Sequence, residues 1–285
     1  MKTVLSFCTG PFALKGRKNK FIGLCTTLFL TLTTQVGGLV LWPFWSWTFG
    51  RFQNPSKSYR LKRIGTLTLI YTVFSLLILP LIANQTGRKR LPLYATKELP
   101  TGPQSILFPL LNRTYVRKHT YDVFIKAVQE TAQKHPGTII RYLDAGFPFP
   151  YIHLLPHLSH VDGQKIDVAF LFQKEGVYID KARSPIGYWG YAKETSDQCV
   201  GHKSKYIIPL RWDFDWLQPL LPDLDLDVAK NRTLFKALAK DKKTCGILLE
   251  PPLHKLLKSS KLKSNSCNVA RHDDHFHLDI RLTCP

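Results

Sequence analysis

Two uncharged apolar stretches near the N-terminus restrict the fold of this chain more than any other feature. Phe21 to Gly50 and Ile64 to Gly87 contain no charged residue, and about 20 apolar residues are enough for a helix to cross a bilayer. The first stretch is too long for a typical signal peptide, and no small-residue cleavage site follows it. We therefore predict a membrane anchor over residues 1–87, with transmembrane helices at about 21–47 and 64–86.

The basic residues are concentrated beside these two stretches. Residues 1–90 carry 13 of the 40 Lys and Arg residues and none of the 20 Asp and Glu residues. Basic residues that flank apolar segments usually determine membrane topology. The net charge of +20 therefore indicates a membrane protein and argues against binding of nucleic acid.

Charge alone does not predict the orientation of this anchor. With two crossings, the C-terminal domain would lie on the same side of the membrane as the N-terminus. The N-terminal tail and the connecting loop carry five basic residues each, and Arg88 to Arg90 add three more before the domain. The tendency of basic segments to lie in the cytoplasm therefore does not decide on which side of the membrane the domain lies. The three basic residues at 88–90 slightly favour a cytoplasmic domain.

The cysteines favour the opposite orientation. Cys8 and Cys25 belong to the anchor, which leaves an even set in the domain: Cys199, Cys245, Cys267 and Cys284. Such a set permits two disulfides in any of three pairings, and disulfides persist in oxidising compartments. Four free buried thiols are the alternative. No pair has the close spacing of a structural zinc site, so these cysteines are not predicted to be metal ligands.

Downstream of the anchor we predict a linker at 88–112, rich in Pro, Gly and basic residues, and a domain at 113–285. Helical periodicity predicts one helix at 121–134 and a second at 231–242 with Asn231 as its N-cap. Strands are expected near 138–143, 166–172, 245–249 and 276–282. Helices and strands are mixed but do not follow the regular order of repeated βαβ units. This mixture favours an α+β fold.

Three histidines lie close together near the C-terminus. His275 and His277 are two residues apart, so on a strand they project from the same face. His272 precedes them across Asp273 and Asp274, near the turn that enters the strand. Histidine is the commonest protein ligand of metal ions, so this cluster predicts a metal site.

A second segment supplies further candidate ligands. His160 precedes Asp167 by seven residues, and Gly163 provides a turn between them. Asp167 is expected on the strand face opposite Ile166 and Val168. His160, Asp167 and one C-terminal histidine would make three protein ligands, and three ligands with one open position are typical of catalytic zinc sites.

These two segments also resemble a known family. The pattern Ser-His-x-x-Gly-x-x-x-Asp at 159–167 and the run Arg-His-Asp-Asp-His-Phe-His at 271–277 resemble the penicillin-insensitive murein endopeptidases, within the group of lysostaphin-like, D-Ala-D-Ala and hedgehog-type metallopeptidases. The resemblance covers roughly residues 115–285. It implies a small antiparallel sheet with flanking helices around a zinc ion that is bound by His160, Asp167 and His277. His275 and His272 would be the catalytic residues.

The resemblance further implies hydrolysis of D-alanyl–diaminopimelyl cross-links in peptidoglycan. The alternatives are a cell-wall D,D- or L,D-carboxypeptidase and a non-catalytic, hedgehog-like zinc-binding module. A cell-wall substrate and the cysteines favour a periplasmic or extracellular domain on the cytoplasmic membrane. The sequence does not predict the oligomeric state.

Other conspicuous residues have simpler interpretations. Asp274 could act as a general base, but on a regular strand it would face away from His275 and His277. Glu250 is expected to be structural, and His153 and His157 to be loop or surface residues. The aromatic clusters at 188–191 and 211–216 are expected in the core, with a substrate groove as the alternative.

Overall fold

The computed structural model describes residues 10–14, 16–51, 57–150, 158–195, 199, 211–264 and 267–284. Helices and strands are mixed in this part of the chain, as predicted. The helices are α1 (Arg17–Thr34), α2 (Gly37–Arg51), α3 (Lys57–Val73), α4 (Leu79–Gln85), α5 (Leu107–Leu110), α6 (Lys118–Lys134), α7 (Val228–Lys240) and α8 (Pro251–Leu257). A π-helical segment, Phe74–Ile78, joins α3 to α4 without a break.

The prediction of two transmembrane helices is wrong. Among the described residues only one helix is long and apolar enough to cross a membrane, the continuous helix Leu61–Gln85, whose most apolar 18-residue stretch has a mean hydropathy of 2.2. It corresponds to the second predicted span at 64–86. The first predicted span, at 21–47, is divided by a turn in which Gln35 adopts a φ of 68°. The uncharged run therefore forms two shorter helices.

These two helices pack against each other as a hairpin. The indole Nε1 of Trp45 on α2 donates to the hydroxyl of Thr27 on α1 at 2.9 Å. A Cβ atom on Gly38 would lie 2.0 Å from the carbonyl oxygen of Thr27, so only glycine permits this close approach. The chain consequently reverses direction at Gln35 and Val36.

The domain is built on a six-stranded sheet. The strands of the described chain are β1 (Arg88–Arg90), β2 (Thr101–Pro103), β3 (Tyr115–Arg117), β4 (Ile140–Tyr142), β5 (Lys165–Ala169), β6 (Phe172–Lys174), β7 (Val177–Ile179), β8 (Asp225–Leu226), β9 (Thr244–Leu249), β10 (Leu262–Ser264) and β11 (His275–Ile280). The strand order in the six-stranded sheet is β10-β9-β11-β5-β4-β2. The central strands are antiparallel, whereas the edge strands β10 and β2 run parallel to their neighbours β9 and β4. The sheet is therefore antiparallel, as expected, only among its central strands.

One face of this sheet is covered by α6 and α7. Ile166 and Val168 on β5 and Phe276 on β11 point into the same apolar core as Val128 of α6 and Phe235 of α7. The rings of Phe235 and Phe276 lie 4.7 Å apart. Because side chains alternate along a strand, Asp167, His275 and His277 project from the opposite face.

Two predicted boundaries change in the structure. The second helix begins at Val228 rather than Asn231, and its N-cap is Asp227, whose carboxylate accepts from the backbone N–H of Lys230 at 3.0 Å. Asn231 is buried inside the helix and bonds to both backbone groups of Leu171. The segment predicted as a linker, 88–112, is folded, since it contributes β1, which pairs with β3, and β2 of the main sheet.

The four cysteines of the domain form two disulfides. Cys199 pairs with Cys267, and Cys245 pairs with Cys284. The second bridge ties the start of β9 to the chain just beyond β11. Cys25 on α1 is a free, exposed thiol, and Cys8 lies outside the described residues.

Candidate metal centre

The centre of the site is a cross-strand pair on β5 and β11. Asp167 lies directly opposite His277 in the antiparallel register, and Ala169 lies opposite His275. The carboxylate oxygen Oδ1 of Asp167 is 2.7 Å from Nδ1 of His277. Both side chains are largely withdrawn from solvent, since Asp167 is 2% and His277 12% exposed. The alternating pattern of each strand therefore brings the two groups to one face.

His160 joins this pair from a neighbouring loop. It ends a short 3₁₀ turn, Leu158–His160, and its Nδ1 lies 3.0 Å from the carbonyl oxygen of Ala145. This contact turns Nε2 toward Asp167, 3.3 Å from Oδ1. A carbonyl partner on one imidazole nitrogen fixes the ring so that the other nitrogen can bind a metal.

Gly163 shapes the loop between His160 and Asp167. Its φ of 69° is in the left-handed region, and its N–H donates to the carbonyl of His160 at 3.3 Å. A Cβ atom there would overlap the guanidinium of Arg88, which donates to the carbonyl of Val161 at 2.5 Å. At this predicted turn, the loop between His160 and Asp167 therefore contacts the start of the domain through Arg88.

The three predicted ligands converge. One ligand atom each of His160, Asp167 and His277 lies within 4.8 Å of the other two. Two imidazoles and one carboxylate form a donor set suited to zinc. Burial lowers the pKa of His277, although Asp167 opposes the shift, so the imidazole is neutral at pH 7, as a metal ligand must be. This cluster can hold a metal ion.

His275 lies beside the cluster and is oriented by its neighbour. Its Nδ1 hydrogen-bonds to the carboxylate of Asp274, while its Nε2 lies 3.7 Å from Oδ2 of Asp167. Asp274 precedes β11 rather than continuing it, so the regular strand on which it would face away from His275 does not include it. Asp274 also accepts from the backbone N–H of Trp189.

His272 completes the group of imidazoles. Its ring lies 4.8 Å from that of His275 and 5.8 Å from that of His277. Burial, together with these two neighbouring histidines, lowers the pKa of His272 well below its ordinary value. The ring is therefore neutral and can accept or donate a hydrogen bond.

Glu250 holds His272 in place through the backbone. Its carboxylate accepts from the N–H of His272 at 3.1 Å, and it pairs with both terminal nitrogens of Arg211 at 3.1 and 3.0 Å. Glu250 and Arg211 are both largely buried, at 2% and 9% exposure. The structural role expected for Glu250 therefore includes support of the site.

Sequence reasoning missed the role of Tyr188. Its phenol is buried and donates to Oδ2 of Asp167 at 2.7 Å, and its ring packs 4.8 Å from that of His275. Burial and the nearby carboxylates raise the pKa of Tyr188 well above its ordinary value, so the hydroxyl remains a donor. The aromatic cluster at 188–191 was visible in the sequence, but nothing there associated it with Asp167.

A buried ion pair lies behind Asp167. Arg113 binds the carboxylate of Asp144 through two nitrogens, one of them at 2.6 Å. The backbone of Asp144 accepts from the N–H of Asp167 at 2.8 Å. No local motif marks either residue, since they are 31 positions apart. The pair fixes the chain beside β5.

Exposed aromatic rings form a ridge next to the site. Trp189, Phe214 and Trp216 are arranged in sequence, with ring centroids 5.1 and 6.3 Å apart. Trp189 is 38% and Trp216 69% exposed. These rings are therefore not part of the core, in contrast to Tyr191, which is buried, and Tyr188, which is partly buried and packs against the core. His153 and His157 lie outside the described residues.

No protein-family model matches this chain, and no curated protein shows significant similarity to it.

Proposed function

We propose that this protein is a zinc-dependent peptidoglycan endopeptidase that hydrolyses D-alanyl–diaminopimelyl cross-links. The observation that carries the proposal is the convergence of His160, Asp167 and His277 beside two further histidines. A structural zinc site is normally closed by four protein ligands, whereas a catalytic site has three and an open position. The cluster has three, and the resemblance of its two sequence segments to murein endopeptidases supplies the substrate class.

The residues present fit a zinc ion. His160 and His277 would bind through imidazole nitrogens and Asp167 through its carboxylate. The contacts of His160 with Ala145 and of Asp167 with Tyr188 are the kind of outer partners that orient metal ligands. When bound, zinc supplies Lewis-acid polarisation of a peptide carbonyl and lowers the pKa of water to about 7.

The remaining histidines have complementary roles. Asp274 fixes the tautomer of His275 through Nδ1, so that Nε2 can hold or pass a proton on the side of Asp167. His272 is neutral and adjacent to His275, which suits it to hydrogen-bond a reacting group. The exposed ridge of Trp189 and Trp216 would bind the apolar face of a sugar or peptide.

The proposed location is the outer face of the cytoplasmic membrane. The helix Leu61–Gln85 supplies a membrane anchor. The two disulfides of the domain are typical of proteins in an oxidising compartment, which is also where peptidoglycan lies.

The test combines metal analysis with digestion of cell wall. The full chain is purified in detergent, its zinc content is measured by mass spectrometry, and it is incubated with cross-linked peptidoglycan. We expect one zinc per chain and conversion of cross-linked dimers to monomers. His277→Ala should lose both zinc and activity. His254→Ala, which alters a histidine on α8 that contacts the carbonyl of Lys263, should retain both.

The other outcomes discriminate among the alternatives. Release of terminal alanine without loss of dimers would identify a carboxypeptidase. One zinc per chain with unchanged muropeptides would support a hedgehog-like binding module. A wild-type chain that binds no zinc would refute the metallopeptidase proposal altogether.

A further inference from the structure

We propose that Lys165 and Lys263 bind a carboxylate of the substrate beside the metal centre, on the side toward the end of β11. This inference rests on the proposed function and deepens it. In a D-alanyl–diaminopimelyl cross-link, the carbon bonded to the scissile nitrogen carries a free carboxylate. The two lysines would therefore recognise the residue on the amine side of the cleaved bond.

The main sheet presents Lys165 on the face of the metal centre. Lys165 and Asp167 are two residues apart on β5, so their side chains project from the same face. Lys165 lies directly opposite Asp279 of β11, as Asp167 lies opposite His277. The first pair is displaced from the second by two residues, which corresponds to about 7 Å along the strands. Lys165 is therefore a direct neighbour of the candidate metal centre.

The positive charge of Lys165 acts on the metal centre. Burial is the main cause of the lowered pKa of His277, and the electrostatic effects of His160 and Lys165 add to this shift. Because such effects decrease with distance, this influence agrees with the position that the strand register gives to Lys165.

Lys263 reaches the same region from the edge of the sheet. Its backbone pairs with Leu248 of β9, and its side chain crosses the backbone of Gly246. A Cβ atom on Gly246 would lie 2.7 Å from Cδ and 3.2 Å from Nζ of Lys263, so the lysine occupies the space that another side chain would need. Gly246 in turn lies opposite Asp279. The ammonium group of Lys263 is therefore directed over the sheet rather than away from its edge.

The carboxylates in this region are bound by other groups. Asp279 accepts from Nε and Nη2 of Arg281, both at 2.9 Å. Asp162, whose charge also acts on Arg281, accepts from a backbone N–H of its own loop at 2.9 Å. Among the described residues, neither Lys165 nor Lys263 belongs to an ion pair. This part of the site face therefore carries an excess of positive charge.

The two lysines suit an anion that approaches β11 from solvent. Lys263 is exposed and Lys165 is half-buried, and an ammonium group has three donors and no acceptor. They lie on either side of the strand that carries His277. A substrate whose scissile carbonyl is at the metal would have its amine-side carboxylate within about 7 Å, the displacement between the two residue pairs. A carboxamide at that position would keep the shape of the group but lose its charge.

Two substrates that differ in this one group test the proposal. One is the cross-linked muropeptide dimer with the free carboxylate on the carbon bonded to the scissile nitrogen. The other is the same dimer with that carboxylate converted to the amide. The full chain, in detergent and loaded with zinc, is assayed for kcat/KM on each. We expect the wild type to prefer the free carboxylate by at least about 10-fold, as for a hydrogen bond between charged groups, and to prefer it less at high salt.

Removal of the lysine charges should remove this preference. Lys165→Gln and Lys263→Gln should each reduce it, and the double variant should cleave both dimers equally well. Lys263→Arg retains a cation and should keep the preference. Lys255→Gln, which alters an exposed lysine on α8, is the control and should behave as the wild type. Zinc content, measured in each variant, should stay at one per chain.

Gly246→Ala tests the position of the Lys263 ammonium group without a change of charge. The added methyl group would displace the flexible end of Lys263 from its place over the sheet. We expect a reduced preference for the free carboxylate, with zinc still bound.

The results that contradict this inference differ from those that contradict the proposed function. Equal kcat/KM on the two dimers in the wild type would overturn the inference and leave the endopeptidase proposal intact, as would a preference that the double variant retains. Loss of zinc from both single glutamine variants would show that the lysines support the metal site, and would overturn their assignment to the substrate. Cleavage of neither dimer by the zinc-loaded wild type would refute the proposed function, and this inference with it.

Discussion

Nδ1 of His277 lies 2.7 Å from Oδ1 of Asp167, although the two residues are 110 positions apart in the chain. They meet because β11 and β5 are antiparallel neighbours in which these two positions are paired. A shift of one residue in this pairing would turn every side chain of β11 to the other face. The apolar residues Phe276 and Leu278, which are buried in the core, therefore fix the register that assembles the site.

Removal of either member of this pair should abolish tight metal binding. His277→Ala and Asp167→Asn each leave two proposed ligands, and we expect zinc affinity to fall by at least about 100-fold, since even partners outside the ligand set contribute 10- to 100-fold. Competition with a chromophoric chelator measures the affinity. Asp279→Asn, on the same strand, is the control. An unchanged affinity in His277→Ala would exclude His277 as a ligand.

Asp274→Asn should separate catalysis from metal binding. The amide retains an acceptor for the N–H of Trp189 but no longer fixes His275 as the carboxylate does. We expect kcat on cross-linked muropeptides to fall by about 10²- to 10⁴-fold, the range of general acid–base catalysis, with one zinc still bound. Loss of zinc in this variant would instead assign Asp274 to the metal site.

Tyr188→Phe should weaken the site while preserving its shape. The change removes the hydrogen bond to Oδ2 of Asp167 and leaves the ring that packs on His275. Loss of such a partner typically costs about 10- to 100-fold in metal affinity or activity. Titration of the metal-free protein with zinc measures this effect. A Tyr191→Phe variant, in which the altered hydroxyl contacts the backbone of Trp212 and Phe214, should bind zinc normally.

Stability should fall in mild acid partly because of His119. Partial burial, with help from Arg117 and Lys243, lowers the pKa of His119 below its ordinary value of 6.5. As the pH falls, the unfolded chain takes up this proton before the folded chain does, so the stability present above pH 6.5 is lost on acidification through the lower folded pKa. The direction of this dependence follows from the lowered pKa alone.

The measurement is the thermal unfolding midpoint of the metal-free protein in detergent between pH 8 and pH 5. His119→Gln does not titrate in this range, so its midpoint should decrease less on acidification than that of the wild type. His254→Ala should follow the wild type. Equal slopes for His119→Gln and the wild type would contradict the prediction.

The strand geometry of the site could be predicted from local patterns. Alternation in β5 places Asp167 opposite Ile166 and Val168, and the spacing of His275 and His277 places them on one face, as the structure has them. The apolar side chains whose periodicity predicts the first domain helix, such as Val123 and Phe124, are found in the core. These features depend only on neighbours in the sequence.

The remaining features depend on contacts between distant residues. Tyr188 reaches Asp167 across 21 positions, and no periodicity associates them. The turn at Gln35 interrupts an uncharged stretch that is long enough to be predicted as one transmembrane helix. Hydropathy does not detect a reversal of chain direction within an apolar stretch. Gly37 and Gly38 follow this turn in the sequence, and the close packing of Gly38 against Thr27 gives the second glycine its structural reason.

The contact between Arg88 and Val161 has a consequence for how the protein would search for substrate. Arg88 follows the apolar helix Leu61–Gln85 by three residues and donates to the carbonyl of Val161, directly beyond His160. If the helix is the proposed membrane anchor, the domain has no flexible tether on which it could move away from the membrane. The proposed hydrolase would then act within a thin layer at a constant height above the membrane. Its lateral diffusion, rather than the length of a tether, would determine which cross-links it meets.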